Sequence, residues 1–282
     1  MIRGACLCGE VNFELTGKLK APTICHCGMC RRWHGSPGTY TSTPKMDVRL
    51  AGAGKLRWYR SSPSSERGFC GTCGSSLFWR QVDGADLDIA MGSLYSPTGL
   101  RADRHIWVNH RGDYQDIGSD LPQYAGSSAH ADPIAPVPPL PREAKQPDTH
   151  TGNCLCGAVQ MTINGPMADI GICHCGQCRR WHGDAPAYSR AAWAQIDLVG
   201  KEHLHWYRSS DIARRGSCKI CGSSMFWERN GGDAVSIAAG CLNPPTGLRA
   251  REHIFVADKG DYSDIADGLP QFAVTDDDSL PF

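Results

Sequence analysis

Cys25-His26-Cys27-Gly28-Met29-Cys30-Arg31-Arg32-Trp33-His34-Gly35 returns, with one change, as Cys173-His174-Cys175-Gly176-Gln177-Cys178-Arg179-Arg180-Trp181-His182-Gly183. Outward from this stretch, Cys6-x-Cys8 lies upstream and Cys70-x-x-Cys73 downstream, and they return as Cys154-x-Cys156 and Cys218-x-x-Cys221. Each recurrence is shifted by the same 148 residues, so fourteen of the fifteen cysteines form two sets of seven with identical spacing. A period this long marks a duplicated domain, because solenoid repeats are much shorter.

Between the copies the chain carries Pro133, Pro136, Pro138, Pro139, Pro141 and Pro147. Proline at that density disfavours regular structure and stiffens an extended path. The expected organisation is therefore a first zinc domain over 1–125, a proline-rich linker over 126–150 and a second zinc domain over 151–275. Within each copy, Val11–Leu15 and its counterpart Val159–Ile163 alternate apolar and polar residues, as half-buried strands do. Leu56–Arg60, Ser76–Trp79, Leu87–Ala90 and His105–Val108 are further strand candidates, rich in aromatic and β-branched residues. No segment holds a helical period over three turns, so a mostly β domain of short antiparallel strands is expected, with any helix short. Gly9 and Gly157, directly after the first cysteine pairs, suit a tight knuckle that turns backbone amides toward a thiolate.

Twenty-nine basic and 29 acidic residues cancel. With no long run of Lys and Arg, no nucleic-acid partner is expected. No apolar stretch of about 18 residues is present, so no spanning helix and no membrane partner are expected either. Met1 to Cys6 leaves no room for a secretory leader, which predicts a cytoplasmic chain with reduced thiols. The acidic run Thr275-Asp276-Asp277-Asp278 reads as a solvated tail.

An odd number of cysteines per copy cannot all pair as disulfides, and two cysteines one residue apart make an awkward disulfide. Metal is the better reading. Zinc takes four ligands tetrahedrally and accepts thiolates. Cys6, Cys8, Cys70 and Cys73 complete one closed site, and Cys154, Cys156, Cys218 and Cys221 a second. Cys25, Cys27 and Cys30, and likewise Cys173, Cys175 and Cys178, supply three ligands and leave one position open, as catalytic zinc does. Two zinc ions per domain, four per chain, are expected. His26 or His34 closing the triplet, a different pairing of the cysteines, and iron in place of zinc are the competing readings. Arg31, Arg32, Arg179 and Arg180 are candidates to offset the charge of a thiolate-rich ion or to hold carboxylates of a ligand. Trp33 reads as a packing residue. His34 and His182 are candidate proton donors. Cys241, whose counterpart is Ser93, reads as a small buried residue.

Gly4-Ala-Cys-Leu-Cys-Gly9, the Cys25–Gly35 stretch, Phe69-Cys-Gly-Thr-Cys-Gly-Ser-Ser76 and Leu121-Pro-Gln-Tyr124, each matched in the second copy, resemble the glutathione-dependent formaldehyde-activating enzyme family, which includes centromere protein V. The resemblance implies a zinc-binding β-tent fold, similar to a β-sandwich, with one structural four-cysteine zinc and one three-cysteine zinc at the active site. It also implies a carbon–sulfur lyase that joins glutathione, or a similar small thiol, to formaldehyde or a related aldehyde. The alternative is a non-catalytic zinc module that binds glutathione or a protein partner. The tandem departs from single-domain relatives and would mimic a dimer, so no further oligomer is required.

Overall fold

The computed structural model describes residues 1–129, 131–141 and 144–275; Asp276-Asp277-Asp278 of the acidic run lies outside them. The first half contributes strands β1 (Ile2–Ala5), β2 (Asn12–Leu15), β3 (Thr23–Cys25), β4 (Gly38–Pro44), β5 (Val48–Ala51), β6 (Leu56–Ser62), β7 (Ser65–Cys70), β8 (Ser76–Gln81), β9 (Asp86–Ala90) and β10 (Arg104–Ile106), with one helix α1 (Gly28–His34). The second half repeats this as β11 (Thr149–Asn153), β12 (Gln160–Asn164), β13 (Ile170–Cys173), β14 (Ala187–Ala192), β15 (Ile196–Val199), β16 (Leu204–Arg208), β17 (Ala213–Cys218), β18 (Ser224–Arg229), β19 (Ala234–Ala238) and β20 (Ala250–Ile254), with helix α2 (Gly176–His182). No helix among the described residues is long and apolar enough to cross a membrane.

Each half pairs a three-stranded sheet, β1-β2-β5 or β11-β12-β15, with a seven-stranded one, β10-β3-β4-β9-β8-β7-β6 or its equivalent. The mostly β expectation holds, with one correction. β3 runs parallel to β10, and β13 parallel to β20, so the sheets are not wholly antiparallel. The alternation turns Phe13 and Leu15 into the core, while Asn12 before them faces out and Glu14 between them is half-buried. The strand expected over His105–Val108 is shorter: Trp107 takes a left-handed conformation and a 3-10 turn follows at Val108–His110.

The halves interlock about a pseudo-twofold. α1 packs against the 3-10 turn Ala239–Cys241 and β18 of the second half, and α2 packs against Met91–Ser93 and β8 of the first. Backbone bonds cross the seam from Gly92 N to Gly183 O at 2.8 Å and from Gly240 N to Gly35 O at 3.0 Å. The carboxy-terminal arms also cross. Tyr262 joins the apolar core of the first half and Tyr114 that of the second. Asp261 accepts from Thr98 N and Gly99 N, and Asp113 accepts from Thr246 N. The proline-rich segment lies first against the first half, where Ile134 N donates to Gln123 O, Val137 N to Gln123 Oε1 and Leu140 N to Asp116 Oδ1, and then against the second, where Pro141 O accepts from Arg249 Nε and Gln146 pairs with the Met167 backbone. Chain connectivity thus adds to a seam already built from both halves.

Candidate metal centre

The knuckle Cys6–Val11 turns at Gly9, whose φ of +79° a side chain would resist. The turn points Val11 N at Cys6 Sγ, 3.3 Å away. β7 ends at Cys70, and the turn to β8 brings Cys73 alongside, with Gly74 N donating to Cys70 O. The four sulfurs Cys6, Cys8, Cys70 and Cys73 lie within 4.8 Å of one another, as do Cys154, Cys156, Cys218 and Cys221. Cys6 and Cys8 Sγ are 3.4 Å apart, and Cys8 and Cys70 Sγ 3.8 Å. Tetrahedral zinc with thiolate bonds of about 2.3 Å places its sulfurs about 3.8 Å apart, so the donor set and spacing fit that ion. None of the fifteen cysteines is in a disulfide.

The triplets form where β3 and β13 end. Cys25 closes β3, Cys27 caps α1 by accepting from Cys30 N at 3.4 Å, and Cys30 lies in the first turn of the helix. Gly35 ends the helix in a left-handed turn that returns its N–H to Arg31 O. The sulfurs of Cys25, Cys27 and Cys30, and those of Cys173, Cys175 and Cys178, again lie within 4.8 Å of one another. Among the described residues, no fourth cysteine, histidine or carboxylate joins either group. Neither histidine weighed above completes the set. His26 turns its Nε2 to His105 Nδ1, 2.9 Å away, and both ring nitrogens of His34 are engaged elsewhere.

Three thiols this close share protons. Hydrogen bonds from Cys25 and Cys27 pull Cys30 well below the usual thiol range, with the Arg67 charge adding to them, while Cys25 is pushed well above it. Sequence reasoning did not foresee the cation beside Cys30. Arg67 is 1% exposed, with Nη2 3.5 Å from Cys30 Sγ, Nη1 3.5 Å from Tyr40 Oη and its guanidinium 5.2 Å from the centre of the Trp33 ring. Arg215 repeats the contact with Cys178 at 3.5 Å. The available signal was the Arg-Gly-x-Cys pattern shared by 67–70 and 215–218 in strands otherwise read only for their cysteines.

The residues after the triplets are placed as follows. Arg32 crosses the seam, where Nη1 reaches Asn153 O and Oδ1 at 3.1 and 2.8 Å and Nη2 reaches Asn243 Oδ1 at 2.9 Å. Arg180 lies over the Tyr95 ring of the first half. Arg31 Nε donates to His110 O at 2.9 Å, and Arg179 Nε to Asp258 O at 2.9 Å. Trp33 is fully buried and donates to Cys221 O at 2.8 Å, and Trp181 donates to Cys73 O at 2.6 Å. Each triplet helix is thereby tied to the closed site of the opposite half. His34 meets His182 O through Nδ1 and Tyr40 Oη through Nε2, and His182 meets His34 O and Tyr188 Oη in the same way. Burial lowers the His34 pKa to about 4 and that of His182 to about 3, so both rings are neutral at pH 7. Cys241 is buried against the first half, its Sγ 3.5 Å from Arg32 O.

The family model for the glutathione-dependent formaldehyde-activating enzyme matches residues 1–110 and again 149–258. The chain belongs to this family. Both units of the formaldehyde-activating family chain keep all seven cysteines, and the matched segments contain both the closed and the open sulfur groups. An uncharacterised lyase of Schizosaccharomyces pombe is 34% identical over 126 residues, which span 44% of this chain and 91% of that relative. A solved structure of a Rhodobacter sphaeroides protein is 25% identical, covers 36% of this chain and 98% of its own, and superposes with a TM-score of 0.29. In each case the share covered corresponds to less than half of the tandem.

Proposed function

We propose that the chain is a carbon–sulfur lyase acting in the synthetic direction, adding a small thiol, glutathione, to formaldehyde or a related small aldehyde at its two triplets. The observation that carries this reading is the incomplete sulfur set: seven cysteines per half leave one group of four and one of three, with no side chain among the described residues completing the three. Family membership and the lyase named among its relatives support the reaction class.

Cys25, Cys27 and Cys30 would hold one catalytic zinc, and Cys173, Cys175 and Cys178 the other. The ion supplies the positive charge that keeps an incoming thiol ionised at neutral pH. Arg67 and Arg215, themselves only 1% and 2% exposed, hold compensating charge beside Cys30 and Cys178. In the addition the sulfur forms a bond to the carbonyl carbon, the C=O π pair moves to oxygen, and the thiol proton ends on that oxygen. No oxidant or reductant is consumed.

His34 and His182 have both nitrogens occupied inside the protein, so we assign them as positioning residues that orient the Tyr40 and Tyr188 hydroxyls. Those hydroxyls are the proposed proton carriers. Of the paired arginines, Arg31 and Arg179 lie beside the triplet segment and are assigned to ligand carboxylates, whereas Arg32 and Arg180 serve the seam. Reduced cytosolic thiols suit this chemistry.

To test the reading, Cys27→Ser and Cys175→Ser are combined, and adduct formation is followed with and without glutathione. The double variant should stay folded, retain its two closed-site ions and lose glutathione-dependent turnover. Unchanged turnover in the folded double variant would refute the proposal. Glutathione binding without turnover in the wild type would favour a ligand-binding zinc module.

A further inference from the structure

The two halves are not equivalent where they meet. A cavity of about 120 Å3 lies on the seam, lined from the first half by His26, His105 and Ser119 and from the second by His174, His253 and Asp267. In the second half the chain fills the hydrogen-bonding needs of this wall itself. His174 Nε2 meets His253 Nδ1 at 2.8 Å, and His253 Nε2 meets Asp267 Oδ2 at 2.9 Å. In the first half the matching bond, His26 Nε2 to His105 Nδ1, is kept at 2.9 Å. The residue 148 positions before Asp267 is Ser119. Ser119 retains the local turn, accepting from Leu121 N as Asp267 does from Leu269 N, but it does not reach the histidine. His105 Nε2 is left buried with no partner among the described residues, on a residue 5% exposed.

A second difference points the same way. Tyr262 Oη donates to Asp184 Oδ1 at 3.2 Å, whereas for the counterpart Tyr114 the position of the acid is held by Ser36; the Arg31 charge lies near this hydroxyl, which makes no hydrogen bond of ordinary geometry among the described residues. A third concerns the cations. Lys259 is satisfied within its own half by Ser263 O at 2.6 Å and by Asp264. Its counterpart Arg111 donates from Nη2 to Pro138 O at 2.7 Å, but its buried Nε has no partner among the described residues, and it lines a smaller recess that also includes His26 and Tyr114. Buried polar groups of this kind are rarely left unpaired, because each costs about 1–3 kcal/mol. Where one copy supplies carboxylates and the other leaves polar groups unpaired, a ligand acceptor is the simplest complement. Besides Asp267, the acids already on this wall are engaged: Asp184 by Thr39 and Tyr262, Asp116 by Leu140 N, and Asp264 by Arg101 at 3.1 Å.

We propose that the first half binds a small carboxylate in the seam cavity, seated on His105 where the second half seats its own Asp267. The volume suits an acid of two or three carbons, since a cavity of about 150 Å3 accommodates a benzene-sized molecule. His26 and His174 of this wall sit between triplet cysteines, but the seat on His105 uses none of the sulfurs and does not depend on their activity.

The zinc-loaded full chain is titrated calorimetrically with acetate, with acetamide as the neutral isostere. One acetate per chain is expected, with acetamide at least about tenfold weaker because it forgoes a charge-assisted bond. Ser119→Asp supplies the missing carboxylate from within and should abolish binding. Asp267→Ser empties the matching position in the second half and should raise the stoichiometry to two, which keeps the test decisive if Ser119→Asp fails to fold. No saturable acetate binding by the wild type, an ordered water alone on His105 in a structure grown in acetate, or a stoichiometry untouched by both substitutions would overturn the proposal.

Discussion

Replacing Arg67 with Met removes a buried cation from beside a thiolate while keeping a chain of similar length to fill the space. Its Nη2 lies 3.5 Å from Cys30 Sγ, and the side chain is 1% exposed, so water cannot take over its role without entering the core. Unit charges about 4 Å apart at an effective dielectric of about 20 interact by about 4 kcal/mol. Relief of the guanidinium's own desolvation offsets part of this, leaving about 2–3 kcal/mol, or about a 30- to 150-fold loss of affinity for the triplet ion. The assay is zinc competition against a chromophoric chelator of graded strength. Arg67→Met should release one of the four ions per chain early and leave the two closed-site ions and the second triplet unchanged, so each molecule carries its own control. Arg67→Lys should fall between, keeping the charge but losing the planar fork. If Arg67→Met holds its triplet ion as tightly as the wild type, the thiolates are not balanced by this arginine and the charge argument fails.

Arg32→Ala removes several charge-assisted bonds across the seam, to Asn153 and Asn243, and should lower stability by about 2 kcal/mol or more in urea unfolding, with the zinc count unchanged. Gly240→Ala would put a Cβ 2.0 Å from Arg31 O at the end of α1, so the backbone must shift; a cost of about 1–3 kcal/mol is expected, read as a lower unfolding midpoint. On acidification the unfolded chain takes protons on His34 and His182 below about pH 6.5, while the folded chain resists until about pH 4 and about pH 3. Stability is therefore full above pH 6.5 and falls as pH drops, by up to about 1.4 kcal/mol per unit for each ring. Combined His34→Gln and His182→Gln should flatten urea midpoints measured between pH 7 and pH 5, and an unchanged slope would contradict the assignment.

Sulfur spacing made the metal groups legible from the sequence, because ligand chemistry constrains near neighbours and is indifferent to the rest of the chain. The sheet strands were legible where alternation matched burial, as at Phe13 and Leu15, but the parallel pairing of β3 with β10 was not. That contact joins segments about eighty residues apart and leaves no local mark. Arg67 escaped notice because it lies in a strand between two features of stronger pattern. Arg31 and Arg32 look alike in sequence, yet successive helix positions face different directions, and only the seam decides which one crosses it. The linker's proline content predicted an irregular path without indicating where it would lie; Gln123 and Asp116 hold its first part against the first half, and Arg249 and the Met167 backbone hold its later part against the second.

The most direct test of the sulfur assignment is a crystal structure with anomalous data collected at the zinc edge. Four ions per chain are expected, two bound by four cysteine sulfurs and two by Cys25, Cys27 and Cys30 or Cys173, Cys175 and Cys178 plus one ligand that is not part of the chain. A side chain completing either three-sulfur ion, disulfides among those cysteines, or ions in the closed sites alone would contradict it.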